Sequence, residues 1–248
     1  MPSRRRVLRA WMVLAPAVAV PGQTLAGRQI EEPLSDSVRG ALSTAVAWAA
    51  PPEPVLPSRQ HRSDYERWLA HAGARLTRYK SHPVERQEFL QTLWYEARRA
   101  GLSLSLVLGL VQVESAFRKF AVSSAGARGY MQVMPFWSRL IGDGDESRLF
   151  QMQANLRFGC VILRHYLDSE RGDLFMALGR YNGSRGQAAY PQAVLAAHGR
   201  IQDHIPPGDD AAATPRGHVA VLVLAVAAGV PTMPSSSIIG RGPFRSAR

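Results

Sequence analysis

Residues 103–117 read SLSLVLGLVQVESAF and predict a buried helix. Five positions of this stretch follow the spacing i, i+1, i+4, i+5 and i+8, which places them on one helix face: Leu106, Val107, Leu110, Val111 and Glu114. The pattern therefore puts a carboxyl group on an otherwise apolar stripe. Gly126 and Gly129 follow soon afterwards and indicate an irregular loop, so we expect Glu114 in the last turn of the helix.

The predicted surroundings of Glu114 favour its neutral form. Burial disfavours a charged carboxylate, and so does the partial negative charge at the C-terminal end of a helix. A carboxyl group that holds its proton near neutral pH can act as a general acid. A structural glutamate, hydrogen-bonded to nearby backbone, fits the same helix pattern, so this helix alone leaves both interpretations open.

Two further clusters are typical of a sugar-binding site. Residues 126–135 read GARGYMQVMP, a glycine-rich loop that ends at a proline. Its glutamine can donate to and accept from N-acetyl and hydroxyl groups, while the aromatic and thioether groups can cover the apolar face of a pyranose ring. Residues 180–186 read RYNGSRG and end a helix that begins near Asp173, a pattern that an ordinary helix C-terminus also explains.

In this order the clusters resemble the catalytic domain of the soluble lytic transglycosylases, bacterial enzymes with a goose-lysozyme-like fold that cleave peptidoglycan. The resemblance rests on ESAF at 114–117, GARGYMQ at 126–132, Asn155-Leu156 with Gly159, and YNG at 181–183. It extends over residues 85 to 197. Two positions depart from the family pattern: Tyr130 replaces the usual leucine before Met-Gln, and Arg180 replaces the usual alanine before Tyr-Asn.

The resemblance implies a mainly α fold, a lysozyme-like helical catalytic domain with an N-terminal helical extension. It implies that Glu114 is the catalytic residue, acting first as acid and then as base, with no metal and no cofactor. The residues expected to bind the glycan strand of peptidoglycan are Ser115, Tyr130, Met131, Gln132, Tyr181 and Asn182.

The expected reaction needs only one carboxyl group. Ordinary glycosidases use two, one of which serves as base or nucleophile, and the sequence offers no obvious second one. By resemblance, the 6-hydroxyl of the muramoyl ring attacks C1 and leaves a 1,6-anhydro end without consuming water. The alternatives are a hydrolytic muramidase with the same glutamate, an accessory enzyme of a secretion or flagellar apparatus, and a catalytically silent glycan-binding module.

The N-terminal residues predict export from the cytoplasm. Arginines at 4, 5, 6 and 9 precede an apolar run over 11–20 and a small-residue cleavage site at 24–26. The run is shorter than the roughly 20 apolar residues that a bilayer span requires. We therefore expect 1–26 to be a cleavable signal of the Sec or twin-arginine type, and the mature chain to be periplasmic with no stable membrane span.

Four segments are expected along the chain: the signal at 1–26, a helical region at 27–80 with a proline-rich linker at 51–57, the catalytic domain at 81–200, and a poorly ordered tail at 201–248. One helix of the second segment has the apolar stripe Val38, Ala41, Leu42, Ala45, Val46 and Ala49. Ser63 with Glu66 predicts a capping box at the start of the next helix. A third helix is expected between Pro83 and Gly101.

Composition excludes several other classes. The 248 residues carry a formal net charge of +11 and a single cysteine, Cys160, so an internal disulfide and a cysteine zinc cluster are both impossible. A pI near 10.7 suggests nucleic acid as a partner. Basic and acidic residues nearly balance over 85–197, however, and no helix has a basic face, so we expect no nucleic-acid binding. The charge fits an anionic cell wall better.

Overall fold

The computed structural model describes residues 29–47, 56 and 58–202. Within them the helices are α1 (Asp36–Ala47), α2 (Arg59–Leu76), α3 (Pro83–Arg99), α4 (Leu104–Ser115), α5 (Phe136–Ile141), α6 (Met152–Ser169), α7 (Leu174–Asn182) and α8 (Ala189–Gln202), with a 3-10 turn at Glu146–Phe150. The extended pairing in this part of the chain consists of isolated bridges at 122, 128 and 133. The expected mainly α fold is confirmed.

The central element is α4. Ten of its twelve residues are buried, which is more than the single stripe that its sequence spacing predicted. A helix that is apolar on most sides is stable only when it is surrounded by others, and α8 packs closely along it. Gly109 permits this approach, because a Cβ atom there would lie 2.8 Å from the main-chain nitrogen of His198.

The boundaries of α2 and α3 test two predictions. The Ser63–Glu66 capping box is wrong: α2 begins five residues earlier than predicted, where the Ser58 hydroxyl accepts a hydrogen bond from the His61 main-chain N–H at 3.3 Å. The intervening residues contain no helix breaker, so the earlier serine caps the helix. The predicted end of α3 is confirmed. Gly101 has φ 63° and forms a Schellman turn, in which Leu102 N–H donates to Ala97 at 2.8 Å.

The helices before residue 81 share the core of the remaining domain. Trp68 of α2 and Leu42 of α1 are buried in the same apolar cluster as α3, α4 and α6. Arg99 of α3 donates a hydrogen bond to the Ala45 carbonyl of α1. The predicted signal, most of the proline-rich linker and residues 203–248 lie outside the described residues.

A buried ion pair joins α3 to α6. The Arg157 guanidinium donates to Glu96 Oε1 from two nitrogens, at 3.1 and 2.7 Å, and both side chains are almost inaccessible to water. Arg99 lies 3.4 Å from the other carboxylate oxygen. Two-point contacts of this kind fix the orientation of both partners. The pair therefore sets how α6 lies against α3.

Candidate active site

Glu114 is the penultimate residue of α4, and its side chain is buried, with only 3% exposed. The helix ends abruptly after it, because Ala116 and Phe117 have φ values of 48° and 63°. Consecutive residues other than glycine rarely adopt this left-handed conformation, and such backbone strain is concentrated at functional sites. The prediction of Glu114 in the last turn of a core helix is confirmed.

Tyr190, at the start of α8, is the hydrogen-bond partner of Glu114. Its hydroxyl donates to Glu114 Oε1 at 2.5 Å, although the two residues are 76 positions apart. Burial and the neighbouring Glu114 raise the pKa of Tyr190 well above its ordinary value, so the phenol keeps its proton and remains a donor. Sequence reasoning missed Tyr190. The available signal was a hydroxyl on the apolar face that it shares with Val194 and Ile201.

A single side chain from α6 holds the glycine-rich loop in place. Asn155 Oδ1 accepts from the Met131 main-chain N–H at 2.8 Å, and its Nδ2 donates to the carbonyls of Arg128 and Leu149, each at 2.8 Å. From α7, the Tyr181 hydroxyl donates to the Met131 carbonyl at 2.8 Å. Two helices thus fix the backbone of the loop beside the end of α4.

Gly129 is required at its position in this loop. Its φ is 75°, and a Cβ atom there would lie 2.4 Å from Asn155 Nδ2 and 2.6 Å from the Leu149 carbonyl. Any side chain would therefore meet both a strained backbone and the side chain that positions the loop.

Two other predicted residues brace the loop. The Ser115 hydroxyl donates to the Tyr130 carbonyl at 2.7 Å, which ties the end of α4 to the loop. The amide nitrogen of Gln132 donates to the carbonyls of Ala121 and Gly129 at 3.1 and 3.0 Å. The hydrogen-bonding groups of both side chains therefore contact the protein's own backbone.

The Tyr130 side chain extends away from this arrangement. Its ring packs against Phe89 at 4.9 Å between centroids, and its hydroxyl accepts a hydrogen bond from Lys80 Nζ at 2.8 Å. Burial, with a contribution from Glu85, raises its pKa to about 12. The ring helps to line a cleft of about 800 Å³ with Lys119. The hydrogen bond with Lys80 depends on the tyrosine hydroxyl. A leucine at this position has no hydroxyl and could not form it.

The remaining predicted residues belong to the end of α7. Tyr181 is fully buried, and burial followed by the charge of Glu114 raises its pKa well above the ordinary value. Asn182 is the last residue of the helix and donates from Nδ2 to the Ser184 hydroxyl at 3.0 Å. The structure therefore brings Tyr181 close to Glu114. It places Asn182 at the adjoining helix end, where Gly183 turns the chain with φ 75°.

Taken together, the site contains a buried carboxyl group with a fixed tyrosine donor, next to a rigid glycine-rich loop. The tyrosine can stabilise the carboxylate after proton loss, so Glu114 can give up and later accept a proton.

Within residues 29–47 and 58–202, no group of three or more histidine, cysteine, aspartate or glutamate side chains could hold a metal ion. In the same part of the chain, no helix is both long enough and apolar enough to cross a membrane.

Replacing Tyr190 with phenylalanine is expected to reduce catalysis without unfolding the protein. The change removes the donor to Glu114 and keeps the ring that packs on α4. A charge-assisted hydrogen bond of this kind contributes about 1.5–3 kcal/mol, so we expect a loss of roughly 10- to 100-fold in kcat. Turnover of a glycan substrate and a thermal melt measure the two effects. A fully active Tyr190→Phe variant would show that the contact has no catalytic role.

The described residues form a mainly helical domain whose central helix ends in a buried glutamate, and this arrangement is consistent with a lysozyme-like domain. Residues 92–194 match the family model of the transglycosylase SLT domain. The family-model match agrees with the resemblance drawn from the motifs, which is confirmed. The lysozyme-like helical fold that it implied is confirmed as well.

Individual relatives are similar over the same region. Membrane-bound lytic murein transglycosylase C of Actinobacillus pleuropneumoniae serotype 5b (strain L20) is 36% identical over 88 residues, which are 32% of this chain and 24% of the relative. The protein of that name from Histophilus somni (strain 2336) is 34% identical over 118 residues, 42% and 32% of the two chains. A transglycosylase of Enterobacteria phage PRD1 is 29% identical over 118 residues, 48% and 43%. The chain thus spans about a quarter of the length of the first of these relatives.

Proposed function

We propose that this chain is a peptidoglycan lytic transglycosylase, which cleaves the β-1,4 bond between MurNAc and GlcNAc and leaves 1,6-anhydroMurNAc ends. The observation that carries this proposal is the buried Glu114 carboxyl with its Tyr190 donor at 2.5 Å, inside a domain of the SLT family. The names of the relatives, murein transglycosylases, support the same substrate.

In the proposed reaction, protonated Glu114 donates its proton to the bridging oxygen as the bond from that oxygen to C1 of the muramoyl ring breaks. The N-acetyl group of the ring stabilises the positive charge that develops at C1. The 6-hydroxyl of the same ring then forms the new bond to C1, and its proton passes to Glu114. The carboxyl is thereby restored, and no water is consumed. Because the nucleophile is part of the substrate, the step has the rate advantage of an intramolecular reaction.

The surrounding residues have proposed roles that follow from their contacts. Tyr190 holds the Glu114 carboxyl in one orientation and stabilises it when it is ionised. Ser115 and Gln132 keep the loop beside the end of α4, while Tyr181 fixes the Met131 backbone. We assign Met131, Gln132, Tyr181 and Asn182 to the wall of the glycan site. Ser115 and Tyr130 support that wall from behind.

We further propose that the chain acts in the periplasm after the signal at 1–26 has been removed. The arginine-rich start, the short apolar run and the small residues at 24–26 support this compartment. Two of the relatives named above are called membrane-bound lytic murein transglycosylases, and these names support a role at the cell wall.

Product analysis tests the proposed reaction. Purified peptidoglycan is digested with the full chain, and the released muropeptides are separated and weighed by mass spectrometry. We expect anhydromuramoyl ends, which are lighter than hydrolysed ends by one water molecule. Reducing muramic acid ends would instead establish the hydrolytic muramidase. A digest that releases no muropeptide would reject both enzymes.

A further inference from the structure

The segment before α1 contacts the glycine-rich loop of the candidate site. We call residues 29–34 the strap. Gln29, which stands in an irregular part of the chain, is nevertheless only 4% exposed, and its Oε1 accepts a hydrogen bond from the Met134 main-chain N–H at 3.3 Å. A long polar side chain is seldom buried unless it has a specific partner. The partner here belongs to the glycine-rich loop that the site is built on.

Gln29 also lies near the end of α7. The Gln29 amide favours the ionised form of the Tyr181 phenol, although burial outweighs it and raises the pKa of that group. Gln29 therefore lies between the loop at Met134 and the end of α7 at Tyr181. These are two of the walls between which we place the glycan.

A second contact involves a position where this chain departs from its family. The Glu32 carboxylate pairs with the Arg180 guanidinium at 3.0 Å, and Arg180 stands where the family usually has alanine. Arg180 also lies 3.3 Å from Glu170, so it keeps an ionic partner when Glu32 moves away. The acidic group on the strap and the basic group on α7 thus form an ion pair.

The contacts that hold the strap are few. They include one hydrogen bond from a main-chain N–H to Gln29 and an ion pair whose two side chains remain 27% and 41% exposed. Leu34 is partly buried against the core, whereas Ile30 is 59% exposed. Solvent-exposed ion pairs contribute little to stability. A strap held in this way can be displaced by a ligand that binds the same groups.

The chemistry of Gln29 indicates which ligand would displace it. Its side chain ends in a carboxamide, the same functional group as the acetamido substituent of GlcNAc and MurNAc. Both present a carbonyl oxygen that accepts from a backbone N–H, and both present an N–H donor. The Met134 N–H that now binds Gln29 would bind the carbonyl of an N-acetyl group equally well.

We propose that the strap is a built-in competitor for the glycan: Gln29 occupies the place of a sugar N-acetyl group at the Met134 N–H, and the strap must leave before an N-acetylated strand can bind. This inference rests on the proposed function of the site. Only molecules from which the strap has moved away can then bind a short glycan. The apparent affinity is reduced by the fraction of molecules in that state.

Binding of tri-N-acetylchitotriose to the full chain tests the strap. The variants are Gln29→Ala and Glu32→Arg, and the matched control is Glu31→Arg, which makes the same charge change at an exposed neighbouring residue. We expect the first two to bind about 3- to 10-fold more tightly than the unchanged protein, because the competing state is lost. The control should bind as the unchanged protein does. Hydrogen exchange at the Met134 amide should become faster in Gln29→Ala when no sugar is present.

A charge-swapped chain supplies the decisive comparison. Glu32→Arg combined with Arg180→Glu rebuilds the ion pair in the opposite sense and should return the affinity toward that of the unchanged protein. Unchanged or weaker binding by Gln29→Ala and Glu32→Arg would overturn the proposal, because the strap would then be a wall that supports the sugar. If the unchanged protein yields anhydro ends while these affinities do not rise, only the strap proposal fails. If the affinities rise while no muropeptide is released, the strap proposal stands and the proposed reaction fails.

Discussion

Replacing Glu114 with glutamine is expected to lower peptidoglycan cleavage by at least about 10²–10⁴-fold, the contribution of one general acid–base group. The substitution keeps nearly the same shape and retains an oxygen that can accept the Tyr190 hydrogen bond. It removes the proton that the leaving oxygen requires and the base that later receives one. Because a neutral amide is easier to bury than a carboxylate, thermal stability near neutral pH should be equal or slightly higher.

Two measurements on each protein separate catalysis from folding: the loss of turbidity of a peptidoglycan suspension and a thermal melt. Glu66→Gln, at an exposed position on α2, is the matched control and should change neither. A structural Glu114 would behave in the opposite way, since losing a buried hydrogen-bonded anion costs about 1–3 kcal/mol of stability. A Gln variant that is active but destabilised would end the catalytic assignment.

Replacing Arg157 with methionine is expected to destabilise the fold by about 3 kcal/mol, near the lower end of the range for a broken buried ion pair. The loss arises because Glu96, only 1% exposed, keeps a charge that can no longer be compensated by Arg157. Arg99, at 3.4 Å from the same carboxylate, remains and moderates the cost. Methionine fills most of the space of the aliphatic part of the arginine side chain. The change in the free energy of unfolding therefore arises mainly from the loss of the positive charge.

The double variant Glu96→Leu with Arg157→Met provides the control for that prediction. Removing both charges leaves an apolar contact between α3 and α6, and such replacements are often neutral or stabilising. Urea unfolding of the single and double variants at neutral pH measures both free energies. If Arg157→Met loses less than about 1 kcal/mol, the pair contributes no more than an exposed one.

The catalytic candidate and its loop were predictable because their signals are local. Glu114 follows an apolar helix within one stretch of sequence, and the glycine-rich loop comes only a dozen residues later. Helix periodicity and glycine positions depend on neighbouring residues, so they can be read without knowing the fold. The end of α3 at Gly101 was predictable for the same reason. The start of α2 was not, because two serines within six residues could each cap it, and the sequence pattern favoured the wrong one.

The tertiary structure decided the partners of these residues. Tyr190 meets Glu114 across 76 positions, and Asn155 holds a loop 24 residues before it. The Glu32–Arg180 pair joins segments 148 residues apart. No periodicity links such positions, since their contact depends on how α6, α7, α8 and the strap pack around α4. The sequence by itself therefore indicated the helical class, the resemblance to the family and the candidate acid. The packing of distant helices determined what contacts that carboxyl group, what braces the loop and where the strap lies, because those contacts exist only after the core has formed.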